Sequence, residues 1–188
     1  MKKIFHFDCE TTGIDPKIND IIQMAYIIEV DGEIKEEGEI KVQPHSYENI
    51  SQKAVEVHGI TIEDMKQFDP PRVAHEKILA VLGRYVDKYN RYDKYYPAGY
   101  NCSFDLSFMS EFFAKCGDKY FGSWVNWRRI DPLPMLYVMD LNGDITLPNY
   151  KLETVCEHFG VEIKAHDAVS DIRATSEILK ILLKKGER

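Results

Sequence analysis

Two carboxylates two residues apart, Asp8 and Glu10, follow a short β-rich run that begins at Lys3. In an extended chain, positions i and i+2 share a face, so both can reach one point. Carboxylate oxygens gathered in that way are ligands for a hard divalent cation. A third acid, Asp105, comes after Asn101-Cys102-Ser103-Phe104, where a brief strand candidate passes into a helix. A fourth, Asp171, stands five residues beyond His166, at the head of the last helical pattern. Each signal alone has a plain explanation. With 15 Asp and 16 Glu in 188 residues, chance supplies about one D-x-E and about half an H-x4-D. An acid in the first turn of a helix is often only a charge favoured by the helix dipole. Asp31-Gly32-Glu33 has the same spacing as Asp8 and Glu10, and reads as a turn.

The elements that must position these residues follow from the pattern. Lys3 to Asp8 reads as a strand, Ile21 to Val30 as a second, and Asp31-Gly32 as the hairpin turn into a third, Glu33 to Val42. The third strand is rich in charge, which places it near a sheet edge. Short helices are expected over Gln52 to Val57 and Ile62 to Lys66. A stronger one follows Pro70-Pro71, with Ala74, Ile78, Val81, Leu82 and Tyr85 at helical spacing. Tyr96 to Tyr100 is a strand candidate. Ser103 is placed to cap a helix carrying Leu106, Met109, Phe112 and Phe113. Further helices are expected from Pro132 to Asn142-Gly143, over Lys151 to Phe159 and over Ser170 to Leu183. Strands come first and helices later, the order of a mixed α/β layer fold rather than strict βαβ alternation.

Composition removes several classes. The length suits one domain over residues 1–188, and a net charge of −7 argues against a protein that coats duplexes through a broad basic face. No apolar run approaches the ~18 residues of a membrane helix, and the start is too short for a signal peptide. Cys9, Cys102, Cys116 and Cys156 form no C-x-x-C pair, so neither a zinc site nor a disulfide framework is expected. A reduced, cytoplasmic protein is the expectation.

The order and setting of the acidic motifs carry more than any one of them. D-x-E at a strand end, N-x-x-F-D at a strand-to-helix passage and H-x4-D at a helix start together resemble the DEDDh family of 3′–5′ exonucleases. That family includes the proofreading epsilon subunit of bacterial DNA polymerase III, ribonuclease T and oligoribonuclease. The resemblance runs from Ile4 to about Leu182, with further echoes in Thr11-Thr12-Gly13, Val57-His58-Gly59-Ile60-Thr61 and Lys151-Leu152. It implies a ribonuclease H-like fold: a mixed central sheet flanked by helices. It also implies that Asp8, Glu10, Asp105 and Asp171 hold two Mg²⁺ or Mn²⁺ ions and that His166 is the general base. Thr11, Thr12 and Gly13 are implied to lie against the terminal nucleotide, with His58 and Phe104 lining the cleft. Several relatives carry a glutamate five residues before the H-G-I histidine, near the terminal sugar; this chain has Lys53. The charge arithmetic agrees with the implied metals, because four converging carboxylates repel strongly unless cations neutralise them. Oxygen-only ligation suits Mg²⁺ or Mn²⁺ rather than zinc. A histidine titrating near 6.5 can take a proton from water at neutral pH.

Two stretches stand apart from these motifs. Lys88 to Tyr96 interleaves bases with aromatics, as single-strand stacking surfaces do, yet a helix end running into a polar loop accounts for it as well. Trp124-Val125-Asn126-Trp127-Arg128-Arg129 is a candidate for substrate contact or a docking patch, set against the commoner packing of Trp in its own domain. Two function classes follow. One is a metal-dependent nuclease releasing nucleoside 5′-monophosphates from 3′ ends of single-stranded or frayed nucleic acid, in DNA proofreading or repair or in RNA trimming. The other is a non-catalytic module docking on a DNA polymerase or repair complex. The presence of all four acids and the histidine favours the first.

Overall fold

The computed structural model describes residues 2–164 and 167–185. Its four-stranded sheet comprises β1 (Lys3–Thr11), β2 (Ile21–Val30), β3 (Glu33–Lys41) and β4 (Tyr96–Ala98), in the order β3-β2-β1-β4. The first three are antiparallel neighbours, and β4 runs parallel to β1. The helices are α1 (Gln52–His58), α2 (Ile62–Met65), α3 (Pro71–Gly83), α4 (Cys102–Lys115), α5 (Pro132–Leu141), α6 (Leu152–Phe159) and α7 (Ala168–Lys185). The expected mixed sheet flanked by helices is present, with charged β3 at an edge.

Strand periodicity sorts β1 into two faces. Phe5, Phe7 and Cys9 point into the larger core with Met24, Tyr26 and Ile28 of β2. That core is closed by Ala74, Ile78 and Leu82 from α3 and by Phe108, Met109, Phe112 and Phe113 from α4. Each fully buried aromatic or aliphatic side chain there contributes about 1.5–3 kcal/mol relative to exposure. On the opposite face, Ala25 and Ile27 of β2 pack against Ala168 and Ile172 of α7. The far side of α7 joins α5 and α6 around Leu136, Val155, Cys156, Ile178 and Leu182.

Three of the departures from the sequence reading bear on the site. β1 continues to Thr11, so Asp8 and Glu10 lie within the strand rather than at its end. β4 stops at Ala98 because the next residue passes against β1: a Cβ on Gly99 would stand 2.9 Å from the Phe7 carbonyl oxygen. Helix α4 starts two residues earlier than a Ser103 cap requires. Asn101 occupies the cap position in left-handed conformation (φ 56°) and makes no side-chain cap bond. The carboxylate of Asp131 does that work instead, accepting from the backbone N–H groups of Asn101 (3.2 Å) and Cys102 (2.9 Å).

Candidate active site

Asp8 and Glu10 alternate with the inward Phe7, Cys9 and Thr11, so their side chains leave β1 on the face covered by α7. Asp8 stands opposite Ala25 in the ladder. Ala25 and Ala168 are both small and buried, which lets the start of α7 come close to the sheet and carries Asp171, in its first turn, toward Asp8. Asp167 begins that helix by accepting from the Ser170 N–H (3.0 Å), while its carbonyl accepts from Asp171 N–H (2.9 Å). Asp105 arrives from α4, in the first turn, and is buried at 3% exposure. One of its oxygens accepts the Cys9 N–H at 3.0 Å, locking the start of α4 to β1.

Electrostatics joins the four acids. Asp8 is driven well above the usual carboxylate range, first by burial and then by repulsion from Asp105, Glu10 and Asp171. Asp105 is pushed up to about 8, chiefly by burial; the Cys9 N–H and its own backbone oppose the shift, while Glu10 and Asp131 add to it. Asp8 and Asp105 so placed favour their protonated forms until positive charge offsets the repulsion. Among the described residues, no three His, Cys, Asp or Glu side chains form a ready-made ion cage. The donor set nevertheless fits a hard divalent ion, being all oxygen and sharing repulsion that positive charge would relieve.

Beside the acids lies a cleft of about 440 Å³, lined by Glu10, Thr11, Gly13, Lys53, His58 and Phe104 among others. That size falls in the range of small-molecule sites. Thr12 is fully buried behind the wall rather than lining it. Its hydroxyl accepts the Asp20 N–H (2.9 Å), and its backbone N–H donates to the Asp20 carbonyl (2.8 Å). The Thr11 hydroxyl donates to the Gly13 carbonyl (2.7 Å), so it too shapes the turn. At Gly13 a Cβ would stand 2.5 Å from Asn19 Oδ1. The Asn19 amide is held by Asp15 N–H and the Asn49 carbonyl, and cannot simply swing away. His58 is half-buried; burial lowers its pKa, an effect that the nearby Thr11 backbone opposes. Its Nδ1 accepts the Ile60 N–H (3.0 Å). His166 lies outside the described residues.

Sequence reasoning missed the brackets behind the site. Asp20, buried at 4% exposure, accepts from Lys115 Nζ (2.7 Å) and the Ser46 N–H (3.1 Å). It thereby ties the Thr11–Gly13 turn to the end of α4, and no sequence signal marks it. Asp131 was findable: an aspartate directly before a helix-opening proline is a cap signal. It caps α5 through the Leu133 N–H (3.0 Å) while holding the start of α4.

A family model described as exonuclease, of the RNase T type, matches residues 5–179. The chain belongs to the RNase T exonuclease family. Within it, the chain is 30% identical over 181 residues to DNA polymerase III PolC-type of Halalkalibacterium halodurans, covering 95% of this chain and 11% of that protein. The PolC-type polymerase of Thermotoga maritima is 27% identical over 174 residues, again 11% of its length. Among solved structures, the zinc-bound E. coli exonuclease I–ssDNA complex superposes with a TM-score of 0.84 at 21% identity, over 100% of this chain and 42% of that one. E. coli exonuclease I with a dT13 oligonucleotide gives 0.80 at 22%, over 98% of this chain and 41% of that one. The fold of this family member is therefore ribonuclease H-like. The chain spans about a tenth of the PolC-type relatives and about two fifths of the exonuclease I chains.

Proposed function

We propose that this chain is a single exonuclease domain that hydrolyses the terminal phosphodiester bond at the 3′ end of single-stranded or frayed DNA, releasing nucleoside 5′-monophosphates. The observation that carries the reading is the meeting of Asp8, Glu10, Asp105 and Asp171 in one electrostatic group beside a cleft of nucleotide size. DNA is preferred to RNA because the PolC-type relatives are named DNA polymerases and exonuclease I is bound to oligodeoxynucleotides. A working place beside a polymerase or repair complex in the cytoplasm accords with those relatives, and among the described residues no helix is long and apolar enough to cross a membrane.

In this reading the four acids hold two Mg²⁺ or Mn²⁺ ions, which supply positive charge for the attacking and leaving oxygens. Asp105, fixed to the Cys9 N–H, sets the position of α4 against β1. Phe104 and the exposed Ile14 offer apolar surface to an unstacked terminal base, and Lys53 offers a cation at the cleft wall. His166 takes the proton of the attacking water.

The test uses 5′-labelled free, blunt-paired, 3′-mismatched and circular DNA, with a matched RNA strand. Stepwise shortening of linear DNA that stops in EDTA, with the circle intact, is the expected result. Efficient cutting of the circle, or full turnover without divalent ions, overturns the reading.

A further inference from the structure

The two stretches set apart in the sequence meet in space. Tyr95 N–H donates to the Trp124 carbonyl (3.0 Å), Asn126 N–H donates to the Tyr95 carbonyl (2.7 Å), and Lys94 Nζ donates to the Gly122 carbonyl. Residues 125–130 are thus tied to the edge of the sheet at both ends, Val125 to Tyr95 and Ile130 to Ala98, and five residue steps against three make 126–129 bulge outward between the two bridges. Three large rings stand nearly free there: Tyr89 at 87%, Tyr92 at 84% and Trp127 at 82% exposure. Packing within the domain accounts for Trp124, at 6%, and not for these.

Each free ring carries a cation of its own. Arg128 Cζ lies 5.4 Å from the Trp127 centroid, Arg91 Cζ 4.9 Å from Tyr92 and Lys88 Nζ 5.3 Å from Tyr89. A cation over one face leaves the other open and places positive charge beside whatever stacks there. Residues 87–94 and 119–130 hold six cations and two acids in a protein of net charge −7. Among the described residues none of the six cations forms an ion pair with an acid, whereas Asp93 is already paired with Lys3. Open π-faces interleaved with unpaired cations match single-stranded nucleic acid, whose bases stack and whose phosphates repeat.

The edge also leads to the cleft. Trp127 stands three residues before Ile130, at most about 10 Å along the chain. Ile130 N–H donates to the Pro97 carbonyl (2.8 Å), and the next residue, Asp131, holds the start of α4, which carries Phe104 and Asp105. We propose that the Tyr89–Tyr92–Trp127 edge binds the body of a single strand by stacking and phosphate contact while its 3′ end occupies the cleft. The proposal rests on the exonuclease reading for the strand's direction, though not for the binding itself.

The experiment titrates the full chain, in EDTA, with a trinucleotide and with an oligothymidylate of about 20 nucleotides, within reach of an extended stacking surface. Anisotropy and tryptophan emission are read together. Trp127 is the exposed one of the two tryptophans, so its emission should be quenched by the long strand and not by the trinucleotide, and Trp127→Phe should abolish the signal. Trp127→Ala with Tyr92→Ala should weaken the long strand about tenfold, within the range of base–aromatic stacking. Arg91→Ala with Arg128→Ala should make the log–log salt slope shallower by about 1.4, two single-strand phosphates. Trinucleotide hydrolysis should be unchanged in all of these variants when Mg²⁺ is restored. Absence of quenching, or wild-type affinity in both double variants, overturns the proposal and leaves the edge to a protein partner. Quenching without any hydrolysis would sustain the surface and remove the nuclease reading.

Discussion

Replacing Asp8 by asparagine keeps its shape and removes a charge felt by Glu10, Asp105 and Asp171 together. Two opposite effects are expected from that one change. Turnover should fall by about 10³-fold or more, the scale of losing electrostatic stabilisation at a reacting centre. In metal-free buffer the variant should melt above the wild type, because repulsion among buried acids is relieved. Single-turnover assays and calorimetry check the pair; near-normal rates would remove Asp8 from the chemistry. His166→Ala tests a different role. Loss of a general base costs roughly 10²–10⁴-fold in rate, yet Mn²⁺ binding by calorimetric titration should persist. A variant that no longer binds Mn²⁺ would make His166 a ligand instead.

Element positions were read well where a single period ruled. The β-rich runs of β1 and β2, the latter buried on both faces, and the helical spacing in α3 and α4 all come from apolar residues entering packed cores, so a local pattern suffices. What stayed hidden depends on residues distant in sequence. The cap of α4 is Asp131, 30 residues from Asn101, and the buried anchor of the Thr12 turn is Asp20, joined to Lys115 95 residues away. The acids' spacing was legible; the small Ala25 and Ala168 that let α7 approach them were not, since alanine carries no motif. Asp131→Ala removes caps from two helices at once. It should cost about 2 kcal/mol, about 1 for each cap, and should lower turnover, because α4 carries Asp105. Asp131→Asn, which still offers an acceptor, should recover much of both. Thr12→Val removes the acceptor for the buried Asp20 N–H, at about 1–3 kcal/mol. Chemical denaturation of the three variants measures these costs, and an unaltered midpoint for Asp131→Ala would show that the start of α4 is held by other means.

For the whole molecule, the raised acids link stability to pH and metal. An aspartate titrates near 3.9 in an unfolded chain, whereas Asp105 is pushed up to about 8 when folded. A folded value above the unfolded one gives stability that is complete below about 4 and is lost as pH rises toward about 8. In EDTA this contribution to the melting temperature should therefore decline between those limits, and Mg²⁺ should restore most of it at the alkaline end. A wild-type curve that tracks Asp105→Asn across that window would deny the linkage. The sheet adds a property of its own, because its two borders differ in charge. On β3, Glu33, Glu36, Glu37 and Glu39 are matched by Lys35, Arg84, Arg173 and Lys41, while Arg128 and Arg129, which follow Trp127 beyond β4, meet no acid among the described residues. Four strand spacings of about 4.8 Å put roughly 19 Å between these borders. A polyanion therefore exerts a torque on the approaching molecule, although the net charge of −7 is itself repelled. Collisions begin with the arginine border turned toward the strand, so dilute salt raises the fraction of first encounters that are already aligned.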